Sequence, residues 1–450
     1  MGKKPRANEL WAAAELREAQ LGDERLNFRL VKLVAGLADN PESSLPQALQ
    51  AWADVKAAYR FFSNPRCEPE EILAAHRQAT LDRIGDRDLI LLAEDTTQFD
   101  FSTHHAALGL GPTGAAGLQG FFMHSALAMT VEGIPLGLLG CQTWKRTDEP
   151  RPDRAKESRR WPEMLAASTV GIRSETRVVH ICDREADFFE FLSVAQEEGH
   201  LVLVRAYRDR KLSGEGGRLW ETVEATEPLG QMAIPIPRSD EHPERIGQFS
   251  LRAVPVSIPA PAHLHAEHLP PVDVVAVLAQ EIDAPAGEDP VCWMLFTTLP
   301  ISTFGHAAQC LRWYALRWRI ERFHYTLKSG CRIEKLQLET AARIRTALAV
   351  YCLVAWRLLF LIYAAREQPE QPCTIFLTQP EWQALYARTH RAREVPADPP
   401  DVRTAVRWIA KLGGFLGRKS DGEPGVKVLW RGFRRLTDIA EDWLLFRTDT

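Results

Sequence analysis

Leu89-Ile-Leu-Leu-Ala-Glu-Asp-Thr-Thr97 decides how the chain is read, and Arg177-Val-Val-His-Ile-Cys-Asp183 repeats its design. Each is a short, continuous apolar run of the length of a buried strand, and each stops at an acidic residue. Between them, 121–131 and 134–142 read as two further strands and 158–171 as a helix. After Asp183 the pattern predicts a helix over about 185–197 and a strand over 201–204. Strands that first meander and then alternate with helices make a mixed α/β domain. Its two acidic residues, Asp95 and Asp183, fall at the C-terminal ends of core strands, where open α/β sheets place their chemistry.

Outward from this centre the texture changes. Residues 8–66 carry apolar side chains at helical spacing, among them Leu26, Leu30, Leu33 and Val34, then Ala57, Ala58, Phe61 and Phe62. Asn64-Pro65 stops that run. A small helical unit with Arg25, Arg29, Lys56 and Arg60 is suited to reading DNA. From 205 to 298, prolines punctuate β-rich runs at 249–256, 272–279 and 291–297, which predicts an all-β insertion. A long helix is expected over 304–329, then a buried one around 347–365. Arg357 inside the latter argues against a membrane span. Pro369 and Pro372 mark a boundary. The remainder reads as helical, with a C-cap at Gly413-Gly414 and an amphipathic final helix over 427–446. The divisions are therefore 1–67, 68–366 (insertion about 205–299) and 367–450.

The 450 residues contain eight cysteines and no C-x-x-C pair, which argues against a disulfide framework or a structural zinc. Residues 1–6 have no apolar stretch behind them, so no secretory leader is expected. The net charge of −4 disfavours a protein that simply coats nucleic acid. Local charge says more. Arg312, Arg317, Arg319, Arg322, Lys328 and Arg332 crowd one stretch, and Arg151, Arg154, Lys156, Arg159 and Arg160 another. Either run alone reads as an ordinary solvated helix face.

The most specific pattern is Tyr314-x2-Arg317-x3-Glu321-x6-Lys328. Its steps put four polar side chains on one face of a helix. An exposed face with an Arg317–Glu321 pair is one reading. The other gives Glu321 to a metal, Arg317 and Lys328 to phosphate oxygens, and Tyr314 to the DNA backbone. A lone strand-end aspartate is often a cap, but two of them beside a glutamate on a phosphate-binding helix are harder to explain so. Three carboxylates suffice for two Mg²⁺ ions roughly 3.5–4 Å apart, which activate the attacking and stabilise the leaving oxygen of a phosphodiester exchange. Mn²⁺ is expected to substitute.

With these residues the chain resembles the bacterial DDE cut-and-paste transposases of the insertion-sequence-four group, to which the transposon-five enzyme belongs. Glu94-Asp95-Thr96-Thr97 is similar to the first-aspartate motif, Cys182-Asp183-Arg184-Glu185-Ala186-Asp187 to the second, and the Tyr314–Lys328 pattern to the C-terminal signature. Leu21-Gly22-Asp23, Ala58-Tyr59-Arg60-Phe61, Lys156-Glu157-Ser158 and Leu412-Gly413-Gly414-Phe415 match in order, so the resemblance covers nearly the whole chain. It implies an RNase H-like catalytic core with a β insertion, an N-terminal domain that binds the transposon end, and a C-terminal domain that dimerises. It implies nicking, hairpin formation, hairpin opening and strand transfer into target DNA, with double-stranded inverted-repeat ends held in a synaptic homodimer. Asp95, Asp183 and Glu321 become the catalytic metal ligands. Trp293, otherwise a core residue of a strand, matches a position that stacks on a flipped base. Arg205 matches a basic position along the DNA end, with Arg210 of the same kind. Arg29 and Arg60 are expected to contact DNA. No membrane partner is expected, and the location implied is the cytoplasm, at the nucleoid.

Tyr325 departs from the pattern, since a lysine stands there in the transposon-five enzyme. Gly109-x-Gly111-x-x-Gly114 imitates a dinucleotide fingerprint but contains Pro112 and follows no buried strand, so a loop is expected. His104-His105 reads as loop polarity, and His324 receives no role.

Overall fold

The computed structural model describes residues 7–114, 117–147, 157–214, 217–236, 245–418 and 422–447. Arg151, Arg154 and Lys156 of the second basic run lie outside the described residues, as do residues 1–6. The N-terminal segment is helical, as its apolar spacing predicts: α1 (Ala7–Glu15), α2 (Glu24–Asp39), α3 (Leu45–Leu49) and α4 (Trp52–Phe62). Asp23 caps α2 by accepting the Arg25 N–H at 2.8 Å. Leu30, Leu33, Val34 and Leu37 of α2 turn inward. Arg25, Phe28 and Lys32 face water, as do Trp52, Lys56, Tyr59 and Arg60 of α4. An Arg29–Asp54 ion pair at 3.3 Å joins the two exposed faces.

Helix α5 (Pro69–Ile84) leads into the sheet. Strands β1 (Leu89–Asp100), β2 (Gly111–Pro112), β3 (Gln119–Met129), β4 (Pro135–Trp144), β5 (Arg177–Cys182), β6 (Leu201–Arg205), β7 (Gly230–Ile236), β8 (Arg245–Ile258), β9 (Val272–Glu281) and β10 (Cys292–Thr297) form one sheet. Its order is β2-β3-β1-β5-β6-β10-β9-β8-β7, with β4 also paired to β3. The pairs β1–β5 and β5–β6 are parallel. The apolar runs are the core of this sheet, with Ile90 to Ala93 and Ile181 fully buried.

Three expectations need correction. Asp95 is not at a strand end. The parallel ladder of β1 with β5 closes at Glu94 opposite Cys182, but β1 continues against β3 as far as Asp100 opposite Gly120. An antiparallel neighbour thus carries the strand on where the parallel one stops. The segment 205–299 is not purely β. It includes the short helix Leu219–Glu224, and β10 pairs with β6, so its strands extend the central sheet. Nor is 304–329 one continuous helix, as described below.

Alternation along the strands sorts their side chains between two layers. Ile90, Leu92 and Cys182 face a layer that includes Arg160–Thr169 (α6) and Phe189–Glu197 (α7), the helix Leu219–Glu224 being α8. Leu91, Ala93 and Ile181 face the other layer, made by α9 (Phe304–Ala315), α10 (Trp318–Tyr325) and α11 (Ala341–Glu367). Between α9 and α10 the backbone tightens to i→i−3 bonds, from Leu316 to Trp313 and from Ile320 to Arg317. A π-helical turn, Thr326–Gly330, follows α10. Helix α11 has the length and hydropathy of a membrane span, yet its most apolar window is 89% buried within the protein. The Arg357 guanidinium, lowered to about 10 by burial, lies 4.3 Å from the Trp11 ring centroid.

The C-terminal part holds α12 (Gln379–His390), α13 (Val402–Leu412) and α14 (Val426–Arg447). Helix α13 ends at Gly413, and Gly414 takes φ +98°, the left-handed region that favours glycine. A Cβ on Gly413 would stand 1.7 Å from the Val428 carbonyl oxygen, and one on Gly432 1.8 Å from that of Ile409. Two glycines therefore let α13 and α14 cross with their backbones in contact.

Candidate active site

Asp95 projects from β1 into the layer of α10, and Asp183 follows the last residue of β5. The Asp183 carboxylate caps the turn after it by accepting the Glu185 N–H at 2.7 Å. The Asp95 carboxylate accepts the Thr96 N–H at 2.8 Å. Burial, first, pushes the Asp95 carboxyl up to about 7, and the nearby charges of Asp183 and Glu321 push in the same direction, while Arg317 opposes them. The three predicted carboxylates thus lie within electrostatic reach of one another.

Arg317 occupies the middle of the group. One of its nitrogens is 3.7 Å from the Asp95 carboxylate and another is bonded to Glu321. Burial works against its charge, but Tyr314, Glu321, Asp95 and Asp183 outweigh that and hold it firmly protonated. Among the described residues no three histidine, cysteine or acidic side chains are drawn together as a ready metal cage. The donor set nonetheless fits a hard divalent ion, for it is all carboxylate oxygen and its most buried member carries an unrelieved penalty on its charge.

The rest of the signature divides. Lys328, in the π-helical turn, is half-buried, with its ammonium 5.6 Å from the Phe99 ring centroid. Its pKa is lowered, chiefly by burial. Tyr314 is 2% exposed and meets the edge of Trp293, itself 6% exposed and stacked on Phe249 at 5.7 Å. The Tyr314 hydroxyl nonetheless interacts with the Arg317 guanidinium and so stays with the group around Glu321, while neither aromatic offers a ring to solvent. Arg205 ends β6 and is half-buried. Arg210 is bonded to Asp187, whose carboxylate also accepts the Tyr207 N–H at 2.7 Å, so it holds the loop after β6. Arg29 and Arg60 lie far along the chain on the N-terminal helices, Arg60 exposed and Arg29 paired with Asp54.

His324, given no role from the sequence, stands 3.9 Å from the Asp95 carboxylate, and its other ring nitrogen meets the Ser125 hydroxyl at 2.8 Å. Burial lowers its pKa to about 3 and keeps it neutral. The signal was present: His324 lies three residues after Glu321, on the same helical face. Arg184, beside Asp183, has its guanidinium 5.5 Å from the exposed Tyr207 ring.

Three family models match the chain in order. Residues 8–67 match the Transposase DNA-binding family, residues 142–357 the Transposase DDE domain, and residues 353–447 the Transposase Tn5 dimerisation domain. The chain is a Tn5-type DDE transposase. The transposase is accordingly an enzyme that cleaves DNA and transfers strands, binds DNA and forms dimers. DDE transposases use divalent metal ions, generally Mg²⁺. Asp183, Arg317, Glu321 and Lys328 fall inside the matched DDE segment, whereas Asp95 precedes it.

Proposed function

We propose that Asp95, Asp183 and Glu321 are the catalytic carboxylates of a cut-and-paste reaction in which each site uses two Mg²⁺ ions, replaceable by Mn²⁺. The observation that carries this reading is the meeting of a largely buried Asp95 with Asp183 and Glu321 around a single guanidinium, that of Arg317. The ions, when bound, lower the pKa of the attacking hydroxyl and stabilise the oxygen that leaves. Asp95 and Asp183 are presented by adjacent strands and so keep a fixed spacing. Glu321 comes from the facing helix and is released to its ligand role when Arg317 turns to a phosphate oxygen, an anion it can grip with two N–H groups. Lys328 supplies a second positive charge on the same strand of DNA. His324, neutral and bonded to Ser125, buttresses Asp95.

Water first cleaves the phosphodiester at the transposon end, leaving a 3′-hydroxyl. That hydroxyl attacks the opposite strand to give a hairpin, water opens the hairpin, and the same 3′-hydroxyl attacks target DNA. The sheet strands β1, β3, β5 and β6 with their helices suit an RNase H-like core spanning 68–366. Residues 1–67 grip the inverted-repeat end through the exposed face of α2 and α4, including Arg29 and Arg60. Residues 367–450 join two subunits in the synaptic complex, in the cytoplasm at the nucleoid. Arg205 and Arg210 line the approach of the DNA end. Tyr314 and Trp293 contribute to DNA contact only after a rearrangement that uncovers them.

The test is a nicking assay on linear DNA carrying the inverted repeats that flank the gene. Asp95→Asn, Asp183→Asn and Glu321→Gln should each abolish nicking while end binding survives. Full-rate nicking by any one of them removes that residue from the site.

A further inference from the structure

Directly behind the candidate carboxylates, on the opposite face of the sheet, lies a buried cluster that takes no part in the chemistry described above. Glu94 precedes Asp95 and is wholly buried. Its carboxylate accepts a hydrogen bond from His180 of β5 at 2.6 Å. Its other oxygen faces His124 of β3 at 3.7 Å, too far for a hydrogen bond. His124 is also bonded to the Thr96 hydroxyl at 3.0 Å. Both histidines are wholly buried, and Trp161 closes over His124 with ring centroids 4.5 Å apart.

This arrangement is costly. Oε2 of Glu94 and Nε2 of both histidines have no hydrogen-bond partner, and a buried ionic group is seldom better for stability than an apolar side chain of its size. Its position offers a return. The β1–β5 ladder has its last rung at Glu94 opposite Cys182, and the chains part there, each leaving its next residue, Asp95 or Asp183, on the far face. A terminal rung is where a ladder frays. Glu94 crosses from β1 to the neighbours on both sides of this rung, back to His180 opposite Leu92 and forward to His124 opposite Thr96. On β3, the residue after His124 is Ser125, which reaches through the other face to His324 on the helix of Glu321. Polar contacts thus tie all three carboxylate-bearing elements together within the short span of β1 from Leu92 to Thr96.

Resting on the reading of Asp95, Asp183 and Glu321 as metal ligands, we propose that Glu94, held between His180 and His124, is a positioning residue that fixes the Asp95–Asp183 spacing for divalent-ion binding. It touches neither DNA nor ion. Loss of such an outer support costs roughly ten- to a hundredfold in metal affinity or rate.

The experiment compares full-length wild type, Glu94→Leu, Glu94→Gln and Asp95→Asn. It measures Mn²⁺ binding without DNA by calorimetric titration, thermal unfolding without metal, and nicking of flanking-repeat DNA against Mg²⁺ concentration. Glu94→Leu should bind Mn²⁺ about tenfold or more weakly and need correspondingly more Mg²⁺ for half-maximal nicking, even after allowance for the folded fraction lost to the lower unfolding temperature that two unpartnered buried histidines bring. Glu94→Gln, whose amide oxygen can still accept from His180, should recover part of the affinity, and it carries the test alone should Glu94→Leu not fold. Wild-type Mn²⁺ affinity and Mg²⁺ dependence in both Glu94 variants overturns the proposal. So does a rate that falls only with the folded fraction at unchanged Mg²⁺ dependence. If Asp95→Asn itself binds Mn²⁺ and nicks normally, the reading of the site has failed, a result distinct from either.

Discussion

Replacing Asp95 by Asn should make the metal-free protein more stable while removing its activity. The carboxyl is pushed from 3.8 to about 7, chiefly by burial and then by Asp183 and Glu321. That is roughly three units at about 1.4 kcal/mol each, so ionising Asp95 in the folded protein costs up to ~4 kcal/mol. Since the group is coupled to Arg317 and two other acids, a gain of ~2–4 kcal/mol is the sensible range. The sign follows from linkage. A carboxyl whose folded pKa is raised imposes no penalty below its unfolded value of 3.8, where both states are protonated, and the full penalty above about 7. Wild-type stability should therefore fall as pH rises across that window, and the Asn variant should not share the fall. Denaturation of both proteins in chelator, from about pH 4 to about pH 8, measures the difference directly. Equal stabilities at the alkaline end, or a gain as large in acid as in alkali, would refute the reasoning. Adding Mg²⁺ should close the gap by stabilising wild type alone.

Further outcomes follow from other parts of the molecule. Trp293→Ala should cost ~3–5 kcal/mol of stability, because the indole is packed between Phe249 and Tyr314; a loss under ~1 kcal/mol in thermal unfolding would show that the side chain is not part of the core. Arg60→Ala should weaken DNA binding about equally on end and unrelated sequences and lower the salt slope of binding by about 1, read by fluorescence anisotropy over a salt series. Gly432→Val should force α13 and α14 apart at the Ile409 carbonyl and abolish dimers in sedimentation, while binding of a single end persists; unaltered dimers would place the interface elsewhere.

Much of this was legible from residue order alone. Two apolar runs ending in acids gave the strands that hold Asp95 and Asp183, because a strand buried on both faces needs an uninterrupted run. The Arg317–Glu321 spacing gave the ion pair. What escaped depended on tertiary partners. Nothing local to Glu94 and Asp95 says that β1 has β3 to follow beyond the last rung with β5. Helical periodicity read 304–329 as one helix, since it assumes i→i−4 bonds throughout, and the tightened turn at Leu316–Ile320 breaks that assumption, although Tyr314 still reaches Arg317. Trp293 was assigned to DNA by resemblance, while β-strand alternation alone would have sent it inward, where it lies. The Glu94 cluster could not be read because its partners, His180 and His124, are remote in the chain.

The continuity of the sheet has a practical side. Because β10 is hydrogen-bonded to β6, and β6 to β5, the region that reads as an insertion is stitched edge to edge onto the strand that leads into Asp183. Anyone trimming the enzyme to a smaller gene-delivery tool cannot excise it at its sequence boundaries. The cut would bare the flank of β6, invite aggregation through the exposed edge, and loosen the neighbour on which Asp183 depends.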